Sequence, residues 1–133
     1  MITADQILAH LVGDYILQSH WMAQEKTKQS VAAIVHAICY TLPFVFLTRN
    51  GSALAVICLT HFLVDRFRLA RWVVWLKNGY MFSDHPGFVE IHLNPTATGY
   101  RDDVPAWLSV WLLIIADNTI HLICNGIALA VWP

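Results

Sequence analysis

The sequence predicts an all-α fold, a bundle of four transmembrane helices joined by short connections and one long loop. Hydrophobic residues make up 57% of the 133 residues and charged residues 13%, which is about half the charged fraction of an ordinary soluble domain. The apolar residues also gather into separate stretches close to the length that crosses a bilayer. These features predict a single integral-membrane domain, and they exclude a disordered chain and a nucleic-acid binder with a basic face.

Four segments are expected to cross the membrane, at about residues 3–22, 30–48, 52–75 and 104–131. The second is the clearest, because the 20 residues 29–48 contain no charged side chain. A helix of that length covers about 30 Å, the hydrocarbon thickness of a bilayer. The first is the least apolar, and whether it spans fully or lies partly in the interface is left open. Residues 77–103 form the long loop, whose closure over the rest of the protein is also left open.

The basic residues predict the orientation of this bundle. Seven of the eight Lys and Arg residues fall on one side of the predicted membrane, and the eighth, Arg49, falls on the other. The seven are Lys26, Lys28, Arg66, Arg68, Arg71, Lys77 and Arg101. By the positive-inside rule the long loop is cytoplasmic and both termini lie outside. The sequence therefore predicts a multi-pass membrane protein whose long loop lies in the cytoplasm.

Histidine and aspartate recur in these apolar helices at a regular spacing. Three of the predicted helices carry a His and an Asp four residues apart, and the remaining helix carries one His. A spacing of four places both side chains on one helix face. Ionisable groups at membrane depth are unfavourable by a few kcal/mol each and usually face the interior of a bundle. The seven residues, which we expect to form one cluster in the cytoplasmic half, are His10, Asp14, His36, His61, Asp65, Asp117 and His121.

The chemistry of this set predicts a metal centre. Imidazole and carboxylate are ligands for Zn, Mn, Fe, Co and Ni. Three ionised aspartates are strongly unfavourable in a bundle of low dielectric constant, and one or two divalent ions offset their charge. We therefore predict one or two divalent ions, with all seven residues as ligands. The alternative is a metal-free hydrogen-bonded network that holds the helices together.

Two helices share the motif His-[Leu/Phe]-x-x-Asp, at His10 to Asp14 and at His61 to Asp65. This weak repeat indicates two helical hairpins related by a pseudo-two-fold axis along the membrane normal. Gly13, which precedes Asp14, is expected to allow a neighbouring helix to approach closely.

The leading hypothesis for function is a membrane-embedded metal-dependent hydrolase. The ion would activate water as the nucleophile, and one of the catalytic candidates Asp14, Asp65 and Asp117 would act as general base. Arg66 and Arg68 follow Asp65 at the predicted headgroup level, so the expected substrate is a lipid or a phosphorylated headgroup bound by these arginines. The expected partner is the lipid bilayer, with no nucleic acid, and a homo-oligomer is left open.

Three other functions fit the same residues. A metal or proton transporter predicts polar positions continuing to the outer face, where the sequence offers few. A haem protein would use a pair of His residues, and the accompanying aspartates argue against it. A non-catalytic membrane interaction module would keep the metal only as a stabilising element.

The motifs together resemble a known family. The chain is similar to an uncharacterised family of small integral-membrane proteins of bacteria and phages, classed as domain of unknown function 3307. The resemblance extends from the first helix to the last, and its residues are His10-Leu-Val-Gly-Asp14-Tyr-Ile-Leu-Gln18, His36, His61-x-x-x-Asp65 and Asp117-Asn118-x-x-His121. The chain is also broadly similar to membrane-bound metal-dependent hydrolases. The resemblance implies the bundle, the polar site and a location in the bacterial inner membrane, but no substrate. Asn118 stands where we expect Gln.

Overall fold

The computed structural model describes residues 2–78, 98–100 and 103–133. All regular secondary structure in these ranges is helical, which confirms the predicted all-α class. The chain divides into two compact units. The first consists of Met1–Phe67 with Ile120–Pro133, and the second of Arg68–Thr119.

The first unit begins with two helices where the sequence predicts one helix over 3–22. Helix α1 (Ala4–Leu11) continues as a π-helical turn (Val12–Ile16), in which the Leu17 amide donates to the Val12 carbonyl at 3.0 Å. Helix α2 (His20–Glu25) then starts anew. The division occurs because Ser19 has an extended backbone and accepts a hydrogen bond from the Met22 amide through its side chain, which is an N-cap and not a helix interior.

The next two helices begin close to where the sequence predicts them but end earlier. Helix α3 (Ser30–Thr41) passes into a 3-10 turn (Leu42–Phe46) at Pro43, where the missing amide hydrogen interrupts α-helical bonding. Helix α4 (Gly51–Phe67) is capped by Asn50, whose side-chain oxygen accepts from the Ser52 amide at 3.0 Å. The predicted helix over 52–75 therefore starts one residue earlier and ends at Phe67.

The second unit begins at Arg68, which has a left-handed backbone with φ of 52°. This conformation separates α4 from helix α5 (Leu69–Lys77), so the stretch predicted as one helix is divided. Gly99, at φ of 84°, packs so tightly that an added Cβ would lie 2.3 Å from the Arg71 carbonyl oxygen. Most of the predicted loop 77–103 lies outside the described residues.

Helix α6 (Ala106–Val131) contributes its first half to the second unit and its second half to the first. Among the described helices, α6 alone is long and apolar enough to cross a membrane, with 26 residues. The apolar stretch Ser30–Phe46 is shorter than that criterion requires. By helix length, the described part of the chain thus contains one candidate span where the sequence predicts four.

The first unit has a small apolar core, to which α1, α3, the 3-10 turn, α4 and α6 each contribute one residue. These residues, which we call the apolar core, are Ala9, Tyr40, Phe44, Ile57 and Ala128. Next to this core, a Cβ atom added at Gly13 would lie 2.7 Å from the Tyr40 carbonyl oxygen. The expectation that Gly13 permits close helix approach is confirmed.

Candidate metal centre

Four of the seven predicted residues come together in the first unit. Asp14, His36, His61 and Asp65, which we call the His/Asp cluster, each offer one ligand atom, and these atoms all lie within 4.8 Å of one another. All four residues are buried. The cluster could hold a metal ion, as the residue types predict.

Local structure explains how these side chains meet. Asp14 lies in the π-helical turn, a geometry that often marks functional positions because it widens the helix by one residue. Gly13 lets this turn lie directly against the backbone of α3, which carries His36. His61 and Asp65 are four residues apart on α4 and share one face.

Asp65 is the centre of the cluster. Its Oδ2 lies 3.2 Å from His36 Nε2 and 3.1 Å from His61 Nε2, and its Oδ1 lies 3.4 Å from His121 Nε2 on α6. Asp14 joins through Oδ1, which lies 3.2 Å from His36 Nε2. One buried carboxylate therefore faces three imidazoles, and a second approaches from the π-helical turn.

Several atoms in the cluster are close together without being aligned for hydrogen bonding. Within the part of the chain that the structure describes, both ring nitrogens of His61, Nδ1 of His36 and Oδ2 of Asp65 form no hydrogen bond of acceptable geometry. A buried polar atom without a partner costs about 1–3 kcal/mol, and such atoms are rare in native structures. A cation bound in the cluster would contact two of these atoms, His61 Nε2 and Asp65 Oδ2, so this chemistry fits a metal site.

The structure adds one residue that the sequence analysis does not place at the site. The Lys26 Nζ lies 2.9 Å from Asp65 Oδ2, 3.2 Å from His36 Nε2 and 3.5 Å from Asp14 Oδ1. In the sequence, Lys26 is one of seven basic residues that predict membrane orientation. Its role at the site depends on the new helix that starts after Ser19, and helical periodicity over 3–22 carries no signal for that break.

Of the three remaining predicted ligands, His121 faces Asp65 and His10 lies beside Tyr40. His10 is buried, and its Nδ1 lies 2.9 Å from Tyr40 Oη, which also accepts a hydrogen bond from Asn125 Nδ2 at 2.6 Å. The Tyr40 ring in turn stacks on His61, with ring centroids 3.6 Å apart. Asp117 lies on α6 in the second unit, one turn before His121, and its predicted place at the centre stays a prediction.

The two arginines predicted to bind substrate differ in their surroundings. Arg66 donates from Nη1 to the Thr27 carbonyl at 2.9 Å and from Nε to Ser30 Oγ at 3.2 Å. It therefore holds the turn that follows Lys26. Arg68 is the left-handed residue at the start of the second unit. Substrate binding by either arginine stays a prediction.

Comparison with known proteins gives one match. The model of a family described as "Protein of unknown function (DUF3307)" matches residues 2–85, a range that includes Lys26 and all four cluster residues. No curated protein and no solved structure matches the chain. Similarity to metal-dependent hydrolases stays a prediction. Because the match covers more than half of the sequence, the chain belongs to the DUF3307 family.

Proposed function

We propose that this protein is a membrane-embedded, metal-dependent hydrolase whose centre is one divalent ion held by the His/Asp cluster. The observation that carries the proposal is the convergence of four buried ligand atoms within 4.8 Å of one another. The buried His61 Nε2, which forms no hydrogen bond within the described residues, supports a bound cation over a purely structural network.

The number of ligands bears on the identity of the ion. Four protein ligands complete a tetrahedral zinc site, and closed sites of that kind are structural. An ion that prefers six ligands, such as Mn²⁺, Fe²⁺, Co²⁺ or Ni²⁺, keeps two positions for water and substrate. Hydrolysis at this cluster therefore favours a six-coordinate ion.

The ion would supply two functions, activation of water and polarisation of the scissile bond. The chain's own contribution is to orient these groups and to move a proton. Asp14 approaches the cluster through Oδ1, so its second carboxylate oxygen can take the proton from water and pass it to the leaving oxygen. The water oxygen bonds to phosphorus or to an acyl carbon, and the ester bond to the leaving oxygen breaks.

A multi-pass arrangement in the bacterial inner membrane, with both termini outside, is part of the proposal. The distribution of polarity supports it. The four ionisable residues of the cluster are buried, whereas many large apolar side chains are exposed, with Phe46 at 87% and Ile16 at 74%. Apolar exteriors around ionisable interiors are typical of helices in lipid. A stretch such as Ser30–Phe46 is short for a span, and local thinning of the bilayer can accommodate short helices.

The proposed substrate is a lipid or a phosphorylated headgroup. In the sequence Arg66 and Arg68 lie one and three residues after Asp65, and guanidinium groups bind phosphate oxygens in bidentate pairs. Contact with a bilayer would also bring lipid headgroups to the centre.

Metal content tests the centre. Full-length protein purified in detergent is loaded with Mn²⁺, freed of excess metal and analysed by elemental mass spectrometry. We expect about one ion per chain in the wild type, as one cluster of four ligands requires, and almost none in Asp65→Asn. Asp5→Asn is the matched control, because Asp5 is an exposed aspartate on α1. Wild-type protein without stoichiometric metal would overturn the proposal.

Activity tests the chemistry. The Mn²⁺-loaded protein is assayed with 4-nitrophenyl phosphate and with phosphatidylglycerol in mixed micelles. We expect hydrolysis that stops on chelation and is lost in His61→Gln but kept in His20→Gln, a change at an exposed histidine. A loaded protein that is inactive on both substrates, but moves Mn²⁺ across proteoliposomes, would replace the hydrolase with a transporter.

A further inference from the structure

The Lys26 side chain ends inside the His/Asp cluster. Its ammonium nitrogen lies 2.9–3.5 Å from atoms of Asp65, His36 and Asp14, three of the four candidate ligands. A metal ion bonded to the same atoms would lie about 2 Å from each of them. The ion and the ammonium group would then be only a few ångströms apart, where two cations repel strongly.

The backbone on either side of Lys26 is held in place. The Lys26 amide donates to the Met22 carbonyl at 2.9 Å, and Arg66 binds the Thr27 carbonyl at 2.9 Å. The ammonium group therefore reaches the cluster through the flexible four-carbon stem of the lysine. It can leave by rotation of that stem, without unfolding of the turn.

The charges also favour one cation at a time. Asp14 and Asp65 bring two negative charges into a buried site, which the Lys26 ammonium offsets in part and a divalent ion offsets fully. Both cations together would leave a net positive charge in a buried site. We infer that Lys26 is an internal competitor of the metal, which occupies the cluster in the metal-free protein and is displaced when the ion binds. The inference rests on the proposed metal centre.

This competition gives Lys26 two effects on the protein. The metal-free chain keeps its two buried carboxylates paired, so it does not require the ion in order to fold. The affinity for the ion is lower than the four ligands alone would provide, because each binding event must first break the lysine contacts. Monovalent cations, which offset no more charge than the ammonium group, are excluded.

Calorimetric titration of the full-length chain in detergent with Mn²⁺ tests the inference. We expect Lys26→Met to bind Mn²⁺ at least about tenfold more tightly than the wild type, because the competing charge is gone. Lys26→Arg, which keeps a charge there, should remain within about threefold of the wild type or bind more weakly. Lys28→Met is the matched control, because Lys28 lies two residues away with a side chain that is 66% exposed.

The outcomes separate the two proposals. Equal or weaker binding by Lys26→Met overturns the competition and leaves the metal centre in place. An absence of Mn²⁺ binding in the wild type and in Lys26→Met overturns the metal centre itself. Tighter binding by Lys28→Met to the same degree would attribute the effect to overall charge and contradict the inference.

A measurement on the wild-type protein tests the inference even if Lys26→Met does not fold without metal. The chain is acetylated with limiting acetic anhydride, and modification of Lys26 relative to Lys28 is read by mass spectrometry. The Lys26 side chain is 16% exposed with its ammonium group in the cluster, so displacement should make it more reactive. We expect saturating Mn²⁺ to increase the Lys26-to-Lys28 ratio several-fold, and an unchanged or lower ratio overturns the inference.

Discussion

The apolar core and the His/Asp cluster of the first unit are built largely by the same helices, one turn apart. Helix α3 supplies Tyr40 to the core and His36 to the cluster, and α4 supplies Ile57 and His61 in the same way. Four of the five core side chains are hydrocarbon and need only close packing, whereas some buried atoms of the cluster lack hydrogen bonds. The core therefore serves to stabilise the fold, whereas the cluster is the proposed site of a cation, so stability and metal affinity should respond separately to mutation.

Tyr40 connects the apolar core to the His/Asp cluster. Its ring packs in the apolar core and stacks on His61, while its hydroxyl group contacts His10 and Asn125. A substitution at Tyr40 is therefore the most direct test of whether stability and metal affinity respond separately.

The largest expected effect comes from the core. Ile57→Ala removes a fully buried side chain and should lower the free energy of unfolding by about 3 kcal/mol, as large-to-small substitutions in cores do. The affinity for Mn²⁺ should stay within about twofold, because the cluster keeps its ligands. Denaturation in detergent and calorimetry measure the two quantities. Leu59→Ala, at a position on α4 that is 56% exposed, is the control. A parallel loss of metal affinity in Ile57→Ala would show that the core and the cluster do not respond separately.

A smaller effect on stability is expected at Gly13, in the π-helical turn that packs against α3. Gly13→Ala would place a Cβ atom 2.7 Å from the Tyr40 carbonyl oxygen and 2.9 Å from Tyr40 Cδ2. Overpacking of this kind costs about 1–3 kcal/mol, and the shift of the neighbouring Asp14 should also weaken Mn²⁺ binding. In the control Gly51→Ala the new Cβ meets nothing within 4 Å. Equal stability of the two variants would show that the close approach of this turn to α3 is dispensable.

The smallest effect should follow Tyr40→Phe. This change leaves His10 Nδ1 and Asn125 Nδ2 without the hydroxyl group that they contact, and it should cost about 1 kcal/mol. The stacking on His61 is retained, so Mn²⁺ affinity should change less than about threefold. Tyr100→Phe, in the second unit, is the control for loss of a tyrosine hydroxyl. Loss of metal binding in Tyr40→Phe would mean that the hydroxyl group supports the cluster directly.

Much of the candidate site follows from helical spacing. His61 and Asp65 face the same point because residues four apart share a helix face, and their position in an apolar stretch marks them as unusual. Asp14 and His36 join them in three dimensions, as the sequence predicts. The spacing does not show which of the seven residues come together, since that depends on how helices from different parts of the chain pack.

The breaks in the helices could not be predicted in the same way. Ser19 and Arg68 lie within stretches whose hydrophobic pattern fits one continuous helix, yet each is the N-cap of a new helix in the structure. Hydrophobic periodicity reports which face is apolar and carries little information on local backbone geometry. The π-helical turn at Asp14 and the left-handed backbone at Arg68 belong to that missing information.

By itself, the sequence determined the helical class and the residue types of the cluster, because burial pattern and ligand chemistry are properties of composition and local spacing. The tertiary structure decided that Asp14, His36, His61 and Asp65 converge and that Lys26 reaches them. The physical reason is that both depend on the packing of chain segments far apart in sequence. A lysine on a flexible stem can lie in solvent or in a buried site, and only the position of its neighbours determines which.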